Sequence, residues 1–171
     1  MEIINRQTLY EGFYKLYKVT LRQEGETFER EVFQTGTAVG ALVYHTGKKK
    51  FVFVKQYRAG VEEEVTEIVA GLHDHPDESP EEGLRREIKE ETGYKVDHVK
   101  PICTVYPTPG ALAETSHLFY AEVSQKEGEG GGKDEENENI RLMELSREEL
   151  DQHEWRDAKT LIAVQWYRLN F

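Results

Sequence analysis

The stretch from Gly71 to Tyr94, GLHDHPDESPEEGLRREIKEETGY, constrains this chain more than any other, because it places acidic residues where an ordinary helix avoids them. Glu87, Glu90 and Glu91 fall three and four apart, on one face of a predicted helix. Like charges at those spacings destabilise an isolated helix by roughly 0.2–0.5 kcal/mol per pair. Such a face suits a bound divalent cation, although Glu-rich helices also serve as plain solvated surface in acidic proteins. The helix ends are clearly marked. Ser79 can N-cap, Pro80 fits the first helical position, Glu82 completes a Ser-x-x-Glu capping box, and Gly93 supplies the stop. Leu84 and Ile88 give an apolar stripe beside the acidic stripe of Glu87 and Glu91, so the helix can dock and still present carboxylates.

Hard ions such as Mg²⁺ and Mn²⁺ prefer oxygen, and Mg²⁺ usually takes one or two protein carboxylates with waters and substrate phosphate oxygens. Zinc fits less well, since the stretch has no Cys and His73 and His75 lie outside the helix. The net charge of −11 argues against general binding to nucleic acid or to anionic membranes, so a polyanionic substrate must be received locally. No run approaches eighteen apolar residues and the N-terminal stretch lacks an apolar signal segment. The one cysteine, Cys103, excludes an intrachain disulfide and suits a reducing, cytoplasmic setting.

Residues 14–22 alternate apolar and polar, residues 23–26 read as a hairpin turn, and residues 28–33 as its second strand. The compact apolar runs 38–44 and 51–56 read as central strands, followed by strands at 65–70, 99–106 and 117–123. Residues 145–150 and 157–169 read as helices. The order predicts an α/β (α+β) domain with a mixed sheet, preceded by an antiparallel strand module. Residues 1–36 form that module and residues 37–171 the main domain.

The pattern Gly71, Glu78, Arg86-Glu87-Ile88-Lys89-Glu90-Glu91-Thr92-Gly93-Tyr94 resembles the signature of the Nudix hydrolases, G-x5-E-x7-R-E-U-x-E-E-x-G-U, where U is aliphatic or aromatic. The match from Glu78 onward keeps every spacing. Six residues rather than five separate Gly71 from Glu78, so an insertion falls in the loop around His75-Pro76-Asp77. The resemblance implies an α/β/α sandwich with Glu87 and Glu91 as principal ligands of Mg²⁺, Mn²⁺ being a second possibility. It adds the carbonyl of Ala70, and gives Glu90 two places, as a further ligand, direct or through water, and as a catalytic carboxylate. Glu78 and Arg86 would brace the loop by an ion pair.

Further segments resemble the ADP-ribose and nucleotide-sugar pyrophosphatase branch. They are Lys55-Gln56-Tyr57-Arg58, Glu67-Ile68-Val69-Ala70-Gly71, with Val69 in place of the usual proline, Tyr106-Pro107-Thr108-Pro109-Gly110, and Asp157-Ala158-Lys159-Thr160. This likeness implies Arg58, Glu67 and Tyr106 at the substrate and a homodimer built partly from the N-terminal module. Residues 124–139, SQKEGEGGGKDEENEN, read by composition as a flexible solvated loop. In the branch the corresponding loop delivers a glutamate to the attacking water, which makes Glu138 the candidate and Glu136 the next, with glycine hinges for closure. The expected reaction is hydrolysis of ADP-ribose to AMP and ribose 5-phosphate, with GDP-mannose or another nucleotide sugar as the alternative. A catalytically silent nucleotide-binding module is the reading from a different class.

Overall fold

The computed structural model describes residues 1–132 and 140–171; Glu136 and Glu138 lie outside the described residues. Its elements, in order, are strands β1 (Glu2–Glu11), β2 (Lys15–Gln23), β3 (Glu26–His45), β4 (Lys50–Arg58), β5 (Glu63–Glu67) and β6 (Val69–Leu72), helix α1 (Pro80–Thr92), strands β7 (Tyr94–Val105), β8 (Leu112–Lys126) and β9 (Arg141–Leu145), and helices α2 (Arg147–Gln152) and α3 (Ala158–Asn170).

The long strand β3 is the spine. Its first part pairs antiparallel with β2 across the Glu24-Gly25 turn. Both turn residues have positive φ, 53° and 89°, the geometry that matches the twist of a tight hairpin. Further along, β8 runs parallel to β3 on one edge, while β6 and β4 take the other. β9 and β5 extend from β4, β7 from β8, and β1 from β2, giving one mixed nine-stranded sheet among the described residues.

The centre of the sheet is buried on both faces, which explains why its central strands are apolar without interruption. Val39, Ala41, Val43, Val52 and Val54 pack with Leu84 and Ile88 of α1. The alternating residues Leu42, Phe51 and Phe53 pack on the opposite side with Leu150 of α2 and Ala163, Val164 and Tyr167 of α3. The result is the α/β/α sandwich that the resemblance implies.

Some elements differ from the reading of the sequence. β3 is one strand rather than two, because Gly36, at φ 101°, absorbs a register shift against β8 and the pairing continues. β3 therefore runs unbroken past residue 36 and joins the hairpin to the sandwich. β1 and β9 were not anticipated. The glycine-rich run after β8 also packs closely: residues 127–132 lie against the C-terminal end of α1.

Candidate active site

Helix α1 is built as its caps require. Ser79 Oγ accepts from the Glu82 N–H at 3.3 Å, the Glu82 carboxylate accepts from the Ser79 N–H at 2.8 Å, and Gly93 closes the helix in the left-handed conformation, φ 73°. These caps fix the phase of the helix. Leu84 and Ile88 turn into the core, and Glu87, Glu90 and Glu91 line a cavity of about 580 Å³.

β6 supplies the facing wall through Ala70 and Gly71. A Cβ at Gly71 would stand 2.1 Å from Glu87 Oε2, so glycine is needed for the Glu87 carboxylate to lie against this backbone. Two cations also line the cavity, Arg58 at the end of β4 and Lys159 in the first turn of α3. Glu67 does not line the cavity. It is 5% exposed and holds Arg58 from beside it, accepting from Nε at 3.1 Å and from Nη2 at 2.5 Å. Burial alone would lower the Arg58 pKa; the hydrogen bond and charge of Glu67 outweigh it, so the net shift is upward.

The NUDIX domain profile matches residues 34–164. The chain belongs to the Nudix family. A GDP-mannose pyrophosphatase of Cronobacter sakazakii is 33% identical over 184 residues, covering 99% of this chain and 95% of the relative. The GDP-mannose pyrophosphatase of Escherichia coli strain K12 is 31% identical over 179 residues, covering 96% and 93%. A crystal structure of an ADP compounds hydrolase shares the fold, with a TM-score of 0.82 at 18% identity over 98% of this chain and 92% of that one.

Within the Nudix helix, Arg86 is the hub. Its Nε donates to Glu78 Oε1 at 3.2 Å, and Nη1 donates to Glu87 Oε1 at 2.5 Å and Glu90 Oε2 at 3.2 Å. Nη2 reaches the Leu72 carbonyl at 3.4 Å, which ties the loop containing the extra residue to the helix. Burial would lower the Arg86 pKa, but Glu78, Glu87 and Glu90 together drive it upward.

Among the described residues no three Asp, Glu, His or Cys side chains already converge as a metal cluster. The donors are nevertheless all oxygen: the carboxylates of Glu87, Glu90 and Glu91 and the carbonyl of Ala70, with the Glu87 carboxylate filling the space a side chain at Gly71 would take. That set fits a hard divalent ion rather than zinc. Coordination would exchange part of the pairing to Arg86 for metal–oxygen bonds.

Tyr106 stands apart from these residues. It is 66% exposed in the β7–β8 connection and does not line the cavity of this chain. Several residues that do line it had gone unremarked in the sequence. Glu114, on β8, is gripped by Thr35 Oγ1 at 3.0 Å and by the buried Ser116 Oγ at 2.9 Å. Phe13 and Tyr14, at the β1–β2 turn, contribute aromatic surface. Lys159, within the Asp157-Ala158-Lys159-Thr160 segment, lines the cavity as well.

Lys159 is placed by the start of α3. Asp157 N-caps the helix, accepting from the Thr160 N–H at 2.8 Å and the Thr160 hydroxyl at 2.7 Å, and pairs with Lys159 Nζ at 2.9 Å. The Thr160 hydroxyl in turn accepts from the Ile68 N–H at 2.8 Å. Burial would raise the Asp157 pKa, but the Lys159 charge and the hydrogen bonds from Lys159 and Thr160 hold it below the ordinary aspartate value. A depressed carboxyl stabilises the fold above its unfolded pKa, and that contribution is lost as pH falls through its folded value. Asp157→Ala is expected to cost about 1 kcal/mol at neutral pH. The difference from the parent protein should shrink below about pH 4, which denaturant titrations across pH would show.

Proposed function

We propose that this Nudix protein is a metal-dependent nucleotide-sugar pyrophosphatase, with GDP-mannose ahead of ADP-ribose as substrate. The observation that carries the reading is the make-up of one cavity, which Glu87, Glu90, Glu91 and Glu114 line together with Arg58 and Lys159. A diphosphate would be repelled by the acidic wall alone, so that wall needs a cation between it and the substrate. A volume of about 580 Å³ lies within the usual range for small-ligand sites.

When bound, Mg²⁺ or Mn²⁺ supplies charge neutralisation at the diphosphate and Lewis acidity toward the attacking water. Glu87, Glu91 and Glu90 would hold it, with the Ala70 carbonyl. Arg58, fixed by Glu67, offers a permanent planar charge to phosphate oxygens, and Lys159 adds a compact one. Water attacks one phosphorus, the P–O–P bridge breaks, and a nucleoside monophosphate and a sugar phosphate leave. Glu138, with Glu136 next, is the proposed acceptor of the water's proton, a role carried over from the family loop. Glu114 is offered as an acceptor for sugar hydroxyls, since Thr35 and Ser116 already orient it.

The names of the relatives at 31–33% identity weigh for GDP-mannose, whereas the structure with the ADP compounds hydrolase title supports the fold alone. An equimolar mixture of GDP-mannose and ADP-ribose should yield GMP first; earlier release of AMP would restore ADP-ribose to first place.

The N-terminal module is proposed to serve a homodimer and the pocket together. Ile3, Ile4, Leu9, Tyr10 and Phe13 are exposed on it, an apolar surface suited to a second copy, while Phe13 and Tyr14 reach the cavity. Light scattering at micromolar concentration should report twice the chain mass, and a monomer would reject the dimer. Among the described residues no helix is long and apolar enough to cross a membrane. A cytoplasmic site of action suits a lone thiol, Cys103, whose pKa is pushed up by burial.

A further inference from the structure

The run GEGGG at residues 128–132 reads in sequence as a linker, but its backbone is engaged with α1. The last carbonyls of a helix have no partner within it and must find one elsewhere. Gly93 N–H takes the Lys89 carbonyl at 2.9 Å. The next two are taken from outside the helix: Gly132 N–H donates to the Glu90 carbonyl at 3.2 Å and Gly131 N–H to the Glu91 carbonyl at 2.8 Å. The run is anchored at its other end, where the N–H groups of Glu127 and Gly128 both donate to the Gly93 carbonyl, at 2.8 and 3.1 Å.

Only glycine satisfies this path. Gly130, Gly131 and Gly132 all have positive φ, 75°, 108° and 85°. A Cβ at Gly130 would lie 2.5 Å from the Thr92 carbonyl carbon and 2.8 Å from the Glu91 oxygen, and one at Gly93 would lie 2.3 Å from the Gly128 oxygen. These obstacles are backbone, which cannot swing aside as a flexible side chain can. A side chain at Gly93 or Gly130 would therefore push the two segments apart.

We infer that residues 127–132 are a positioning strap that fixes the last turn of α1, and with it the carboxylates of Glu90 and Glu91 against the cavity. The two helix carbonyls the strap takes belong to the same two residues whose side chains face the cavity. A helix end that frays would let those carboxylates turn away from Glu87 and Ala70. The strap therefore sets the metal site from behind, without touching metal or substrate, and Gly130 and Gly131 are positioning residues. This inference rests on the assignment of Glu90 and Glu91 to a divalent cation.

The test is direct Mn²⁺ binding by electron paramagnetic resonance on the full chain, without substrate. The proteins compared are the parent, Gly130→Ala, Gly131→Ala, Glu91→Gln and Gly25→Ala. Gly25 has an equally left-handed φ, 89°, with open space around it in the β2–β3 turn, and so controls for backbone strain remote from the site. Gly130→Ala is expected to weaken Mn²⁺ binding about 10–100-fold, the usual effect of disturbing the groups that orient metal ligands. Gly25→Ala should bind as the parent does. Raising Mn²⁺ should restore turnover in Gly130→Ala but not in Glu91→Gln.

Should Gly130→Ala fail to fold, Gly131→Ala, whose added methyl meets nothing within 4 Å, carries the same expectation. Parent-like Mn²⁺ affinity in the folded glycine variants overturns the strap, as does equal weakening in Gly25→Ala. If instead the parent binds no Mn²⁺, or Glu91→Gln binds as well as the parent, the metal assignment itself is wrong and the strap falls with it.

Discussion

Glu91→Gln is expected to lower kcat by on the order of 10²–10³-fold, about 3–4 kcal/mol, while leaving the fold intact. Glu91 is 3% exposed and its carboxylate is held in a largely desolvated position beside the cavity. The isosteric amide removes the charge while keeping the size and shape of the side chain. That charge is what a divalent ion requires in the proposed reaction. A variant with lost turnover and an intact fold would mark Glu91 as a functional group; near-parent turnover at saturating Mg²⁺ would remove it from the site.

Gly71→Ala is expected to lower kcat by roughly 10²-fold, although it adds one methyl and removes no charge. The new Cβ would lie 2.1 Å from Glu87 Oε2 and 2.2 Å from its Cδ, whereas real contacts essentially never fall under 3.0 Å. Either the carboxylate or β6 must move by nearly 1 Å. A misplacement of that size at a reacting centre costs about 10²-fold. β6 is paired residue by residue with β3, Val39 opposite Gly71 and Gly40 opposite Ala70, so the carboxylate is the part that yields. Steady-state kinetics with a Mg²⁺ titration would show a raised metal requirement; unchanged kcat and Mg²⁺ dependence would mean that Glu87 need not sit where it does.

The helix bearing the carboxylates was legible in the sequence because every signal on it is local. Ser79, Pro80, Glu82 and Gly93 determine its ends, and three-to-four spacing determines its faces. The central strands were legible for the opposite reason: burial on both faces leaves unbroken apolar runs. β1 was hidden because it has no buried residue and so no alternation imposed by a core. β9 spans only five residues, too short for periodicity to separate it from the helix that follows.

The cavity was legible where it coincides with the motif and illegible where topology builds it. Phe13, Glu114 and Lys159 are brought to the same space as Glu87 by the β1–β2 turn, the parallel β3–β8 pairing and the docking of α3. No spacing along the chain encodes those meetings. The glycine run illustrates the reverse error. Composition suggests flexibility, while the run is hydrogen-bonded to α1 and needs glycine for its positive φ values and, at Gly130, for its close approach to the helix.

The most direct measurement is product release from a panel of GDP-mannose, ADP-ribose, UDP-glucose, ADP-glucose and nucleoside triphosphates, with Mg²⁺, Mn²⁺ or a chelator. A nucleotide sugar should be cleaved to equal amounts of nucleoside monophosphate and sugar phosphate, with turnover abolished by chelator and restored by added Mg²⁺. Turnover indifferent to chelator, or folded protein that binds these compounds and cleaves none, would contradict the assignment of the α1 carboxylates to a metal-dependent hydrolase.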